Sequence, residues 1–335
     1  MTHIWVPKVK VLEAELPSSK ARVKGFYTLK RRKADTGDLI QQVGPFENLI
    51  TDVGLDRMGV NAYAPYGFVG TGTATPAITD TQMGSFVHGT TSAVPGGTWN
   101  AAAIRGGAPD YWVQSEVTFN FTPGQATGNL TEVGVGWNSG GVLNTGHRVF
   151  SRALIVDGGG NPVTLTILAD EYLELTYSLR MYPPLLTDST QIVDISGTSH
   201  TFVTRALRIT STPRINNNVV HYAGNEFTLY TGTAAGTPPS LSPITGNTLT
   251  NQGAYSYLAG TLSTYVPGSY TAGVTLTASP SQGNLAYGIR GCAAHVGVSG
   301  SRGLTFGLQS TITPAIPKDN TKTLSFGQQF SWARH

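Results

Sequence analysis

The sequence predicts a mainly β protein, with antiparallel sandwich-like domains and one short helix. Three observations carry this. Apolar residues recur with period two in segment after segment. Gly (41) and Pro (19) are frequent enough to place turns at short intervals. Charged residues are 12 % of the 335-residue chain, about half the ordinary quarter, and the Ala-, Glu-, Lys- and Leu-rich composition of a long coiled coil is absent.

The same arithmetic removes several classes. Apolar residues at 39 % and a net charge of +3 do not fit a disordered chain. Apolar runs stay well short of the roughly 18 residues that a membrane-spanning helix needs. The opening MTHIWVPKVK carries a Pro and two Lys where a signal peptide needs its apolar segment. The expectation is therefore no export, no membrane insertion and folding in a reducing cytoplasm.

Residues 1–35 form a basic segment with nine Lys or Arg and three acids, whereas the rest of the chain is net acidic. Its focus is Lys30, Arg31, Arg32 and Lys33. The turn residues of KADTGD follow at once, so a solvated hairpin tip is one reading. The other is contact with an acidic partner surface, with DNA as the lesser alternative.

A β-domain with a short helix is expected over residues 36–184. PFENLITDVGLDRMG (45–59) places Leu49, Ile50, Val53 and Met58 on a partial helical stripe that Gly59 can end. This predicts a helix near 47–58. Gly54 and Leu55 do not fit that stripe. A Gly-, Ala- and Thr-rich stretch, 59–110, reads as long connection or weak strand that could reach a neighbouring subunit.

Residues 112–182 read as five consecutive antiparallel strands. VTFNF (117–121) puts Val117, Phe119 and Phe121 on one face. VFSRALIV (149–156) and VTLTIL (163–168) flank the turn cluster DGGGNP and predict a hairpin. YLELTYSLRMY (172–182) alternates most clearly, with a wet or partner-facing side made by Glu174, Thr176, Ser178 and Arg180.

YPPLL (182–186) marks a boundary, and a second β-rich domain follows over 185–335. Its strands are TFVTRALRIT (201–210), EFTLYTG (226–232), YTAGVTLTA (270–278), LTFGLQSTI (304–312) and TLSFGQQFSW (323–332). The last puts Leu324, Phe326, Phe330 and Trp332 on one face. The polar segment 231–253 is expected to be an exposed loop.

Chemical signatures are sparse. The chain carries no GxxxxGK[ST], HExxH or GxSxG pattern, and its seven His show no metal-ligand spacing. No cofactor or metal is expected, and the protein is read as a non-enzyme. GFVGTGTA (67–74) has no phosphate-binding Lys, and DGGGN (157–161) lacks the alternating acids of a calcium loop. Cys292 and His295 differ by three positions, which puts them on opposite faces of a strand. Asp170, Glu171 and Glu174 are the one acidic cluster worth testing as hydrolase carboxylates. Trp99, Tyr111 and Trp112 read as core packing or as aromatics that stack on a sugar ring or a neighbouring subunit.

PFENLITDVGLDRMG, followed about ten residues later by VGTGTATPAITDTQM, resembles an arrangement in tailed-bacteriophage virion proteins. The parts are Asn48 to Thr51 and Gly70 to Thr75. LTEVGVGW, RVFSRALI and VTLTILADEYLELTYSLRMYPP resemble their glutamate-valine-glycine strand, arginine-bearing strand and long alternating strand. PAIPKDNTKTLSFGQQFSWAR is similar to their C-terminal strands. The resemblance spans 45–184 and 312–334 and carries no catalytic residues. It implies a virion structural subunit (tail, baseplate, collar or fibre attachment), assembled in the host cytoplasm and contacting copies of itself and other virion proteins. A receptor-binding fibre or spike that recognises host surface glycans is the alternative. A polysaccharide hydrolase and a capsid decoration protein are lesser ones.

Overall fold

In the computed structural model the period-two segments become strands of four sheets. The structure describes residues 10–15, 19–60, 64–91, 112–182, 187–210, 227–233, 237–241, 249–258, 260–298 and 304–335.

The first strands are β1 (Lys10–Glu15), β2 (Ser19–Lys33), β3 (Leu39–Glu47) and β4 (Leu49–Ile50), followed by helix α1 (Asp52–Gly59). Next come β5 (Tyr66–Gly70), β6 (Phe86–Thr90), β7 (Val113–Phe121), β8 (Gly128–Leu130) and β9 (Glu132–Asn138). A one-turn helix α2 (Leu143–Gly146) precedes β10 (His147–Leu154), β11 (Leu165–Ile167) and β12 (Glu171–Tyr182). The remaining strands begin with β13 (Ser189–Ile195), β14 (Thr198–Thr210), β15 (Phe227–Tyr230), β16 (Tyr255–Leu258) and β17 (Gly260–Leu262). They end with β18 (Thr271–Ala278), β19 (Ile289–Val298), β20 (Leu304–Ile316) and β21 (Lys322–Arg334).

A mixed eight-stranded sheet is the spine, in the order β17-β18-β21-β2-β12-β7, with β1 on β21 and β3 on β2. The basic strand β2 is central to it. Its start runs parallel to Phe330–Arg334 of β21, and its whole later length runs antiparallel to β12. One half of this sheet packs on a five-stranded sheet, β4-β10-β9-β5-β6. There the Tyr27 hydroxyl reaches Ser151 of β10, donating to its carbonyl at 3.0 Å. The other half faces a six-stranded sheet, β13-β14-β20-β19-β15-β16, through contacts such as Phe326 on Phe227 at 5.5 Å. Most of the buried apolar side chains form one continuous cluster from Phe121 and Val133 to Phe227 and Ile312, beside two smaller ones around Leu249 and around Phe68. The alternating face of β21 lies inside it, with Leu324, Phe326, Phe330 and Trp332 all at most 1 % exposed.

The expected five-strand run over 112–182 is corrected. β7 pairs with β12, and β9 with β10, in different sheets. The hairpin expected from 149–156 and 163–168 shrinks to one bridge, Val156 to Pro162, after which β11 pairs with β8. Burial explains the split. β12 keeps one half-exposed face, whereas β9 and β10 are buried on nearly every residue. β7 shares the alternating, half-exposed pattern of β12, so these two pair with each other and the covered strands with each other.

The helix near 47–58 is also shifted. Leu49 and Ile50 pair with β10, and the helix starts only at Asp52. Thr51 caps it, its hydroxyl accepting the Gly54 N–H at 3.0 Å. Gly54 fits because a Cβ there would lie 2.1 Å from the Phe150 carbonyl oxygen. Within 59–110 the structure places the strands β5 and β6, while 92–111, with Trp99 and Tyr111, lies outside the described residues.

Of the segment 231–253, expected as an exposed loop, residues 231–233, 237–241 and 249–253 are described, and most of them are exposed. Leu249 is 1 % exposed against Tyr230 and Ala293, and Ser240 bridges to Thr250.

Candidate functional site

Among the described residues, three clusters carry unusual chemistry. The first joins the basic tetrad to the acidic cluster. β2 and β12 run antiparallel with Lys33 opposite Glu171 and Lys30 opposite Glu174. Arg31 clamps Glu171 through two bonds, Nε to Oε2 at 2.6 Å and Nη2 to Oε1 at 2.7 Å. Arg32 lies 3.2 Å from Glu174 and Lys33 2.6 Å from Asp170. Glu171, 2 % exposed, also accepts the Leu168 N–H. The bond from Arg31 holds Glu171 below the ordinary carboxylate value, and the bond from Lys33 does the same for Asp170. A glycosidase general acid requires the opposite shift. Three of the four cations thus neutralise acids on β12 or in the turn before it, which reduces the field they present to a polyanion.

The second cluster was not legible as a site. Glu132, fully buried, opens β9 and faces the loop between β5 and β6. Its Oε1 accepts the N–H groups of Gly72 (3.0 Å) and Ser85 (2.6 Å), and its Oε2 accepts that of Gly84 (3.1 Å). Arg152 of β10, 3 % exposed, pairs with Glu132 at 3.1 Å and with Asp80 at 2.6 Å. Its Nη2 also donates to the Ala74 carbonyl at 2.9 Å. Gly72 is required by this close approach, since its Cβ would sit 2.4 Å from Glu132 Oε1. Apart from the resemblance of the two strands, the sequence signal was an Arg inside the apolar run VFSRALIV. A strand buried on both faces tolerates such a charge only when it is paired.

His147 closes the other end of the same loop. Its Nε2 accepts the Met83 N–H at 3.0 Å, so its Nδ1 carries the proton toward the Leu143 carbonyl, also at 3.0 Å. Phe86 stacks on the ring at 4.6 Å. Burial pushes its pKa below the ordinary 6.5. Between that lowered value and about 6.5 the unfolded chain binds a proton that the folded chain does not. Stability from this group is therefore complete above about pH 6.5 and falls as the pH drops toward the folded value. His147→Gln is expected to flatten the decline between pH 7 and 5 in urea-denaturation midpoints; an unchanged pH profile would exclude His147 as its source.

The third cluster lies on the outer face of the spine sheet. Cross-strand register lines up three rows: Gln114–Arg180–Lys24, Glu116–Ser178–Phe26–Glu47 and Thr118–Thr176–Thr28. Arg180 Nε donates to Gln114 Oε1 at 2.6 Å, and Gln114 passes a bond to Glu116 Oε1 at 2.6 Å. Ser178 donates to the same oxygen at 2.8 Å. The Arg180 guanidinium carbon sits 4.1 Å from the Trp112 ring centre and 4.4 Å from that of Phe26. Trp112 is thus half-buried beside a cation on this face. Trp112 precedes Val113, which lies opposite Met181, at the end of β12 away from Glu171 and Glu174 that face the basic tetrad.

Cys292 is a packed core residue, 3 % exposed, and burial pushes its thiol up to about 12, far from a reactive thiolate. The His295 side chain lies outside the described residues. In the DGGGN segment, Asp157 Oδ1 accepts the N–H groups of Gly159 and Asn161, which closes a turn. Among the described residues no group of three or more His, Cys, Asp or Glu is placed to hold a metal ion, and no helix is long and apolar enough to cross a membrane.

No family model, curated protein or solved structure matches the chain.

Proposed function

We propose that the chain is a structural subunit of a tailed-bacteriophage virion, in the tail, baseplate, collar or fibre-attachment region. It acts through subunit interfaces in a symmetric assembly rather than by catalysis. The observation that supports this best is where the resembling motifs meet. The Gly70-Thr-Gly72 turn, the strand opening at Glu132 and the strand carrying Arg152 are distant in sequence, yet one buried ion cluster joins them. A motif set of this kind reads as one packing unit, not as a substrate pocket.

Sheet edges supply the interfaces. Among the described residues nothing pairs with the outer edges of β13 and β16, the two ends of one sheet. They carry Ile192, 70 % exposed, and the Tyr255–Tyr257 pair, 56 % and 58 % exposed. Unpaired edges with large apolar side chains are an aggregation hazard in a lone molecule and a joint in an assembly.

Copy number in purified particles, by quantitative mass spectrometry, tests the reading. About six or twelve copies would fit a ring in neck, tail or baseplate, which is the symmetry expected of closed assemblies. Absence from the particle would overturn it.

A further inference from the structure

We propose that the outer face of the spine sheet holds a binding site for a neutral oligosaccharide, in the groove between β7, β12, β2 and β3. The groove encloses about 510 Å³, within the usual range of small-ligand sites. Phe26, Thr28, Glu47, Glu116, Ser178 and Arg180 line it.

Its polar groups are fixed before any ligand arrives. Gln114, 4 % exposed, holds Arg180 through Nε and hands a bond to Glu116 Oε1, which Ser178 also occupies. Two rings, Phe26 and Trp112, flank the guanidinium plane. Among the described residues this leaves the Arg180 Nη groups as donors and Glu116 Oε2 as acceptor, both rigid and both without a recorded protein partner. Vicinal hydroxyls, which donate and accept at once, complement such a pair. The Phe26 ring offers an apolar patch beside them, the usual division of labour in a pocket that orients a small polar ligand.

Charge selects the class. Arg180 and Lys24 are balanced by Glu116 and Glu47, with Lys24 and Glu47 already 2.6 Å apart. A polyphosphate or sulfated chain would meet two carboxylates here, whereas a neutral polyol meets none of that repulsion. The site is independent of the assembly reading, because neither the edges of β13 and β16 nor the Glu132–Arg152 cluster lines it.

The test uses the full chain on a glycan array carrying neutral, sialylated and sulfated oligosaccharides, followed by calorimetric titration of the strongest neutral binder. Glu116→Gln keeps the oxygen that Gln114 and Ser178 use and replaces only the free acceptor. It is expected to weaken binding about 10- to 100-fold with an unchanged urea midpoint. Arg180→Met should weaken binding similarly from the donor side, with a lowered urea midpoint because the buried Gln114 Oε1 loses its donor, and Ile192→Ser on the remote edge should leave binding intact. Absence of any neutral binder, binding confined to sialylated or sulfated glycans, or affinity within twofold of wild type in Glu116→Gln would overturn the proposal. Copy number in particles does not change with any of these outcomes, so the two readings fail separately.

Discussion

Arg152→Met is expected to lower the unfolding free energy by about 3–5 kcal/mol, the range for breaking a buried ion pair from one side. The Met stem fills most of the volume, so the loss is electrostatic. Glu132 keeps its three backbone donors but loses its cation, and the Ala74 carbonyl and Asp80 lose theirs. Glu132→Gln fails from the other side. An amide nitrogen in place of Oε2 would point at the Gly84 N–H and at Arg152, both donors. A buried pair can often be replaced by two apolar residues at little cost. Here it cannot, because Glu132→Met with Arg152→Met leaves the Gly72, Gly84 and Ser85 N–H groups without an acceptor. Each such group costs about 1–3 kcal/mol. The double variant should therefore be no more stable than the worse single one. Urea denaturation checks the free energies, and hydrogen exchange at those three amides checks the mechanism. A double variant that recovers wild-type stability would show that the N–H groups find other partners.

Legibility in the sequence followed the balance of local and long-range causes. Period-two segments became strands because alternation is a local property. β12 and β21 keep the faces that alternation assigns them, and Gln328 lies buried between Phe326 and Phe330 on the apolar face of β21. Strand pairing was not legible, because it depends on which face a distant strand must cover. That is why β7 leaves its sequence neighbours for β12. The helix was displaced by Leu49 and Ile50, whose stripe positions serve a strand equally well. The charged clusters show the same limit. Lys30 to Lys33 and Asp170 to Glu174 each stood out as an isolated run, and only the β2–β12 register makes them partners. Glu132 and Arg152 gave no run at all. Each is a single charge in an apolar strand, and such a residue becomes informative only once its burial is known.

Trp332→Ala is the second large effect, about 3–5 kcal/mol for emptying a buried indole. The side chain is 1 % exposed, and its Nε1 donates to the Leu55 carbonyl at 2.9 Å, which ties the last strand to helix α1. Tyr265 stacks on the indole at 5.8 Å and sends its hydroxyl to Asp56 of the same helix at 2.6 Å. Gly59 receives the Tyr265 ring, since a Cβ there would lie 2.2 Å from it. Helix, β21 and the 263–270 turn are thus one joint with Trp332 at its centre. Trp332→Phe keeps much of the ring volume and loses the hydrogen bond, so it should cost less than the Ala variant by the value of the lost packing. Coupling separates a joint from a mere filled cavity. In a cycle with Tyr265→Ala, the two losses should deviate from additivity by about 0.5–3 kcal/mol, whereas a cycle with the exposed Tyr255→Ala should add. Additive losses with Tyr265 would mean that the helix is held by Leu55 and Met58 packing alone, and that the turn rides on it without strengthening it.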